Sequence, residues 1–426
     1  MRADPTHKSF MVAFLQDPAT RRDARVIGVV AFAHGTSHFF HLLLPPLFPW
    51  LMHDFGLNFT QVGALMSIFF VISGTGQALA GFAVDRFGPR RVLLFGVGSL
   101  ALSGFTLALA GSYAMLALVA GLAGLGNSVF HPVDFTILNR RVSHQHLGYA
   151  FSAHGLSGNL GWAAAPVFMA GIAALANWHW AGLGAGLLAT TVLGMLVWQR
   201  KLLDVHEPAT HPAQVKPARS AAETFAFLGS SAVWLCFAFF FVTSLSLGVL
   251  QTFSPTLLNK LYGLSLAAAT SCFTAYLLGG AAGVLAGGFL AARGRSQDRV
   301  ITSALSVSAT CALLIALGVL PGWSVIGLMA ILGMGVGVAG PSRDLLVRQA
   351  ATAGFGRDAF GRVYGFVYSG LDVGFAVAPL IFGPLMDHGH YSAVLGGVVL
   401  LQALAILSAL SVGVRARVTQ RAAAAG

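Results

Sequence analysis

Long apolar runs, separated by short polar segments, follow one another along most of the chain. A bilayer core about 30 Å thick is crossed by a helix of about 20 apolar residues, and roughly twelve runs reach that length. Few polar groups interrupt these runs, so they predict transmembrane helices rather than a soluble core. The predicted spans are 26–50, 60–84, 91–111, 113–138, 147–173, 179–199, 227–258, 266–292, 299–319, 323–349, 361–386 and 391–413.

Composition and charge support an all-α integral membrane protein. Hydrophobic residues make up 56% of the 426 residues and charged residues only 9%, unlike a soluble domain. The formal net charge of +11 reflects basic residues in alternate loops, such as Arg86 and Arg140, whereas Lys260 lies in the opposite set. The positive-inside rule therefore predicts that both termini lie in the cytoplasm. The basic residues then reflect topology rather than a nucleic-acid partner, and we predict a bacterial inner-membrane protein.

A polar stretch that contains prolines divides the chain into two similar halves. The segment GYAFSAHGLSGNLGWAAAP, residues 148–166, aligns without a gap with GRVYGFVYSGLDVGFAVAP, residues 361–379. Such repetition is typical of secondary transporters, which bind substrate between the halves near the membrane centre. We predict two pseudo-symmetric six-helix bundles. The predicted division is a cytoplasmic tail 1–25, a first bundle 26–201, a cytoplasmic linker 202–224, a second bundle 225–414 and a cytoplasmic tail 415–426.

The loop after the second predicted span carries GFAVDRFGPRRV, residues 81–92, and a degraded copy lies at 287–300. Together with the number of spans and the central linker, this motif resembles the signature of the major facilitator superfamily. The resemblance implies alternating access by rocking of the halves, with a loop that helps hold one access state closed. Acidic and guanidinium groups at a helix end can bond to a neighbouring helix terminus and release it. Arginines that only anchor the topology are the alternative. The implied gating residues are Gly81, Asp85, Arg86, Gly88, Arg90 and Arg91.

A narrower resemblance rests on GNSVFHP, residues 126–132, followed by a glycine-rich fifth span. It is similar to the fosmidomycin-resistance-type exporters, in which a Phe-His-Pro turn in the fourth span precedes such a span. The family pattern places an acid directly after the proline. Here Val133 follows Pro132 and the acid is Asp134, so the position of the acid departs from the pattern.

Polar stripes interrupt two of the apolar runs. On a helix of 100° per residue, positions spaced by four and then three residues lie within about 60° of one another. A stripe that faced lipid would cost several kcal/mol, so we predict that both stripes line one interior cavity. Histidines that only hydrogen-bond between helices are one alternative. A metal site is another, but no local set of about four ligands exists and no metal is predicted. The stripes are His34, His38 and His41 in the first span and Asn127, His131 and Asp134 in the fourth.

Ionised groups at membrane depth need partners. The repeat aligns Asp134 with Arg343. Either the two pair across the cavity, or Asp134 carries a coupling proton while Arg343 meets an anionic substrate. Asp372 in the eleventh span occupies the place of Asn159 in the fifth, and we predict that Asp372 is a second proton carrier. For His154 the notion of a pathway residue is weighed as well, but a hydrogen bond between helices is the favoured interpretation.

No nucleotide-binding loop, heme motif or hydrolase triad is evident, so we predict neither an enzyme nor an ATP-driven pump. The prediction is a proton-coupled exporter of a small organic solute that functions as a monomer without a cofactor. Import of a small carboxylate or phosphonate would use the same residues and stays open. A non-transporting membrane sensor is a third hypothesis, and it predicts that the polar stripes are dispensable for flux.

Overall fold

The computed structural model describes residues 17–204, 226–292, 297–355 and 360–425. In these ranges every regular element is a helix. Twelve helical segments are long and apolar enough to cross a membrane, which confirms the prediction. Spans 1 to 12 are, in order, Pro18–Phe55, Phe59–Phe87, Pro89–Ala108, Tyr113–Arg141, His144–Leu175, Trp178–Trp198, Val233–Tyr262, Leu266–Ala291, Gln297–Leu317, Gly322–Arg343, Phe366–Asp387 and Tyr391–Ser411. Residues 205–225, which hold most of the predicted linker, lie outside the described residues.

Two helices extend into the predicted tails. The first begins at Pro18 rather than near residue 26, because the Asp17 carboxylate caps it by accepting the Thr20 amide at 2.9 Å. Proline at the first helical position loses no hydrogen bond, since that amide has no partner within a helix. The hydrogen bonds from the Thr20 hydroxyl and amide lower the pKa of the Asp17 carboxyl. The last helix, Tyr391–Ala425, includes most of the predicted tail 415–426.

Two spans are interrupted beside the same polar region. The first helix of span 1 ends at His41, and Pro45–Leu47 forms a short 3-10 turn before the next helix begins. Span 4 is interrupted after Asn127, and Pro132 lies in the first turn of the next helix, where its missing amide hydrogen is not needed. His41 and Asn127 contact each other. The helical pieces are Pro18–His41, Phe48–Phe55, Tyr113–Asn127 and Phe130–Arg141.

The helices pack as two bundles related by a pseudo-twofold axis, as the internal repeat predicts. In the first half, span 1 packs on span 5, span 2 on span 4, and span 3 on span 6. The equivalent pairs in the second half are spans 7 and 11, spans 8 and 10, and spans 9 and 12. Between the halves, span 2 packs on span 11 and span 5 on span 8, and the axis exchanges these two contacts.

The two halves meet near one face of the membrane. Because the number of spans is even, residues 17 and 425 lie on one face, called here the terminal side, and the opposite face is the far side. The hydrogen bonds and close approaches between spans 2 and 11 in the described ranges lie within 59–74 and 372–387, from about the middle of each helix to its far-side end. A β-carbon on Gly81, near the terminal side, would meet nothing within 4 Å. The structure is therefore a state closed on the far side.

Replacing Gly161 with alanine is expected to destabilise the first half. A β-carbon there would lie 2.0 Å from the Gly35 oxygen and would force spans 1 and 5 apart. We expect a loss of about 1–3 kcal/mol, which is usual for overpacking, measured as a lower unfolding temperature of the purified protein in detergent. Gly171→Ala is the matched control on the same helix, because a β-carbon there meets nothing within 4 Å. Equal unfolding temperatures for the two variants would contradict this packing.

Candidate functional site

A fully buried carboxylate lies at the centre of the polar residues inside the first half. Asp134 of span 4 has 0% side-chain exposure, and its Oδ2 lies 3.0 Å from His34 Nδ1 of span 1 and 3.1 Å from His154 Nε2 of span 5. The His154 contact has hydrogen-bond geometry, whereas the His34 contact is at ion-pair distance without that alignment. Three spans thus bring two imidazoles to one oxygen. The other oxygen, Oδ1, has no hydrogen-bond partner among the residues described.

Further imidazole rings surround the Asp134 carboxylate and its two histidine partners. The His34 ring stacks on the His154 ring with centroids 3.5 Å apart, and the half-buried His131 lies 5.2 Å from His34. The His38 ring lies 4.5 Å from that of His34. Gly158 of span 5 makes room for these rings, because a β-carbon there would lie 2.8 Å from His38 Nδ1 and 3.2 Å from His34 Nε2. The glycine-rich span 5 therefore serves the polar residues as well as helix packing.

Asn127 holds the far-side end of the histidine stripe. Its Oδ1 accepts hydrogen bonds from the Ser37 hydroxyl at 2.6 Å and from His41 Nε2 at 2.8 Å, and its Nδ2 donates to Ser73 Oγ at 2.7 Å. An amide oxygen only accepts, so His41 carries a proton on Nε2. The His38 and His41 rings stack with centroids 4.8 Å apart. One amide thereby joins spans 1, 2 and 4.

The result is a continuous row of polar side chains from Asp134 to Asn127. The row follows one face of span 1, as the spacing predicts, and its three histidines extend over about 10 Å at 1.5 Å per residue. All of its members belong to the first half. We call this group the polar cluster, and its members are His34, His38, His41, Asn127, His131, Asp134 and His154.

The fold assembles imidazoles that are distant along the chain, and this bears on metal binding. One ring nitrogen each of His34, His131 and His154 lies within 4.8 Å of the others. A metal ion is bound by lone pairs that lie in the ring planes and converge on the ion. The planes of the His34 and His154 rings are stacked and inclined by only 24°. The lone pairs of these two rings therefore lie in nearly parallel planes and do not converge on one ion. This arrangement fits histidines that share Asp134, and we propose no metal.

Arg343 lies in the second half and does not pair with Asp134. Its guanidinium carbon lies 4.4 Å above the centroid of the Phe240 ring, a cation–π contact between spans 10 and 7. Within the described ranges, the ion-pair contacts of Asp134 are those with His34 and His154. In this state, therefore, the two charges that the repeat aligns have separate partners.

Asp372 and Asn159 occupy equivalent places where the halves meet. A β-carbon on Gly74 of span 2 would lie 2.9 Å from the Asp372 β-carbon, and one on Gly280 of span 8 would lie 4.0 Å from Asn159 Oδ1. The Asn159 Nδ2 donates to the Gly155 carbonyl of its own helix at 2.9 Å. Both residues are half-buried. They lie at the interface between halves rather than in the polar cluster.

The predicted gating residues lie at the terminal end of span 2 and the start of span 3. Gly81, Asp85, Arg86 and Arg91 are exposed, and the Arg86 guanidinium lies 5.3 Å from the centroid of the neighbouring Phe87 ring. Gly88 has a left-handed φ of 80° and forms the turn between the spans, where glycine avoids strain. Arg90 forms an ion pair with Asp204 of its own half.

Three side chains that contact the polar cluster were not predicted from the sequence. Ser37 and Ser73 bond to Asn127, and the Trp162 ring lies 4.5 Å from His38. Ser37 flanks the histidine face of span 1, so the helical spacing could have included it. Ser73 and Trp162 join the site through packing of spans 2 and 5 on it, and their local sequence carries no signal for this.

The chain is similar to known transport proteins. Residues 30–379 match the sequence profile described as Major Facilitator Superfamily. The fosmidomycin resistance protein of Escherichia coli (strain K12) is 32% identical over 175 residues, which are 40% of this chain and 42% of that protein. The gallate transporter of Pseudomonas putida is 26% identical over 302 residues, which are 64% of this chain and 66% of that protein. The chain thus spans less than half of the first relative and just under two thirds of the second.

A solved structure has the same fold. It is that of a bacterial homolog of the human lysosomal transporter Spinster in an inward-facing and unoccupied conformation. The TM-score is 0.74 at 13% sequence identity, over 94% of this chain and 98% of that chain. At this identity the likeness supports the all-α fold of two helix bundles and carries no conclusion about substrate.

Replacing Asn127 with alanine is expected to destabilise the first half. The change removes the partner of His41 Nε2, Ser37 Oγ and Ser73 Oγ, all inside the bundle. Buried polar groups left without partners cost about 1–3 kcal/mol, so the unfolding temperature in detergent should fall. Asn139→Ala on the same span is the matched control, because Asn139 is exposed and its Nδ2 donates to the Phe135 carbonyl of its own helix. An equal effect of the two substitutions would contradict the role of Asn127.

Proposed function

The chain belongs to the Major Facilitator Superfamily, a family of membrane transporters rather than enzymes, and on that premise we propose that it is a proton-coupled exporter. It moves a small organic solute by alternating access, in which the two halves rock about a site between them. The observation that carries the proposal is the buried Asp134 carboxylate shared by His34 and His154.

The distribution of charge supports an orientation. Basic residues concentrate in the loops of the terminal side, which the positive-inside rule assigns to the cytoplasm. The far side then faces outward across a bacterial inner membrane, and the closed far side corresponds to an inward-facing state. Both halves belong to one chain, so a monomer contains the whole pathway.

The proton site follows from the charge of the polar cluster. When His34 and His154 are neutral, an ionised Asp134 gives the group one negative charge without exposure to water. An isolated charge inside a membrane costs several kcal/mol. One proton shared among these three side chains makes the group neutral. A change between access states that admits water to the group would let this proton leave.

Asp372 is proposed as the second carrier because its surroundings depend on the contact between halves. The side chain packs against Gly74 of span 2 in the far-side-closed state. Separation of spans 2 and 11 would hydrate the carboxyl group and favour its ionised form. Asn159 holds the equivalent place at the other contact and cannot ionise, so the pair of contacts is asymmetric.

Arg343 favours an anionic solute. It supplies a positive charge in the half opposite the polar cluster, and its guanidinium group packs on the fully buried Phe240 ring. Charge-assisted bonds from a guanidinium to a carboxylate or phosphonate are strong and directional. Two relatives are named for fosmidomycin resistance and for gallate transport. Import of such an anion together with a proton is the second candidate, and the gallate transporter relative favours it.

Proton movement in liposomes that contain the purified protein tests the coupling. Internal pH is followed by a trapped dye while gallate or fosmidomycin is added under an imposed proton gradient. We expect solute-dependent proton movement that Asp134→Asn reduces to the level of empty liposomes. Protons that move opposite to the solute indicate exchange and export, and protons that accompany it indicate import.

Asp54→Asn is the control for this experiment. Asp54 is a far-side carboxylate whose Oδ2 accepts the Trp178 indole N–H at 2.7 Å within the first half, and we expect its replacement to leave proton movement intact. Solute flux without proton movement would contradict the coupling. Unchanged coupled flux in Asp134→Asn would contradict the assignment of the proton site.

A further inference from the structure

An acidic residue of one half caps a helix of the other half on the far side. Asp387, the last residue of span 11, accepts the Phe59 amide at Oδ1 at 2.6 Å. Its Oδ2 accepts the Thr60 amide at 3.0 Å and the Thr60 hydroxyl at 2.5 Å. Phe59 and Thr60 are the first two residues of span 2. The contact therefore joins the halves through a side chain and a helix terminus.

The first turn of span 2 is built to receive this carboxylate. Amides of a first turn have no acceptors within the helix and form the positive end of its dipole. Asn58 Oδ1 accepts the Gln61 amide at 2.8 Å, and Gln61 Oε1 accepts the Asn58 amide at 2.9 Å, which is a capping box. The capping box leaves the amides of Phe59 and Thr60 for Asp387. The second half thus supplies acceptors that span 2 lacks.

The surrounding interface permits a close but reversible approach. A β-carbon on Gly383 would lie 3.0 Å from the Thr60 α-carbon, so glycine makes room for the contact. Closer to the membrane centre, the Ser67 hydroxyl donates to the Ala376 carbonyl across the same interface at 2.7 Å. The Asp387 side chain is exposed, so water can replace its partners when the halves separate.

An acidic residue also lies at the opposite end of span 2. Asp85 of the gating residues is exposed and makes no hydrogen bond or ion pair within the described ranges. Nearby Arg90 pairs with Asp204 of its own half. The pair of spans 2 and 11 therefore carries an acid at each end, one engaged across the interface and one free of it.

We propose that Asp387 is a positioning residue of the transport cycle. Its bonds to Phe59 and Thr60 stabilise the state closed on the far side and break when that side opens. The family resemblance already implies that Asp85, as one of the gating residues, helps hold the opposite access state closed. Two acids on one pair of spans thus bias a single equilibrium in opposite directions. The role of Asp387 depends on neither the substrate nor the coupling ion of the proposed function.

The test is a distance measurement between spin labels on the far side. Labels at Leu175→Cys and Trp323→Cys report on the two halves, because these side chains are 91% and 81% exposed. The native Cys236, Cys272 and Cys311 are buried, which favours selective labelling. In detergent at constant pH, we expect Asp387→Asn to increase the long-distance population several-fold. Asp85→Asn is expected to decrease it.

Control variants separate this role from a loss of structure. Asp387→Glu should restore much of the wild-type distribution, and Thr60→Val, which removes only the hydroxyl bond, should shift it in the same direction as Asp387→Asn but less. Asp54→Asn, a far-side change within one half, should leave it unchanged, and unfolding temperatures confirm that each variant is folded. A wild-type distribution in folded Asp387→Asn would overturn the proposal. So would an equal shift in Asp54→Asn.

Discussion

A carboxylate without any exposure to water, inside a membrane bundle, must have its charge balanced by its neighbours. Asp134 is that carboxylate, and much of the first half is arranged around it. Span 1 presents its histidines along one face, span 5 contributes His154, and Gly158 makes room for the rings. The interruptions of spans 1 and 4 lie at the other end of the row, where Asn127 bonds to His41. The polar cluster is therefore part of the packing of four spans, and its protonation and the structure of the half are linked.

The two halves have different tasks in the proposed mechanism, although the same axis relates their helices. The first half contains the whole polar cluster, whereas the second contributes Arg343 above an aromatic ring. Asp372 lies at the contact of spans 2 and 11, and Asn159 lies at the equivalent contact of spans 5 and 8. Of these two side chains, only that of Asp372 can ionise. The interface of spans 2 and 11 is closed on the far side through Asp387. Movement between states then has to break this interface, hydrate Asp372 and change the access of water to the polar cluster together.

Hydrophobic patterning predicted the spans, because membrane thickness sets their length, and the alignment of residues 148–166 with 361–379 predicted the repeat. Helical spacing likewise predicted that His34, His38 and His41 share a face. The partners of that face depend on which spans pack together, so the stacking of His154 on His34 could not be derived from spacing. The same limit applies to Asp387. An acid at the end of a span looks solvent-exposed in the sequence, and its contact with Phe59, distant along the chain, exists only after the halves dock.

In the proposed mechanism, the proton held at Asp134 and the access state of the transporter are linked. The most direct test measures the far-side distance between labels at Leu175→Cys and Trp323→Cys as a function of pH, without any solute, in the wild type and in Asp134→Asn. Histidine and buried carboxyl groups place the useful range at about pH 5 to 8. We expect the wild-type distance distribution to change with pH. Asp134→Asn, which mimics the protonated acid, should stay near the low-pH distribution throughout. The same pH response in both proteins would contradict the claim, as would a wild-type distribution that does not change.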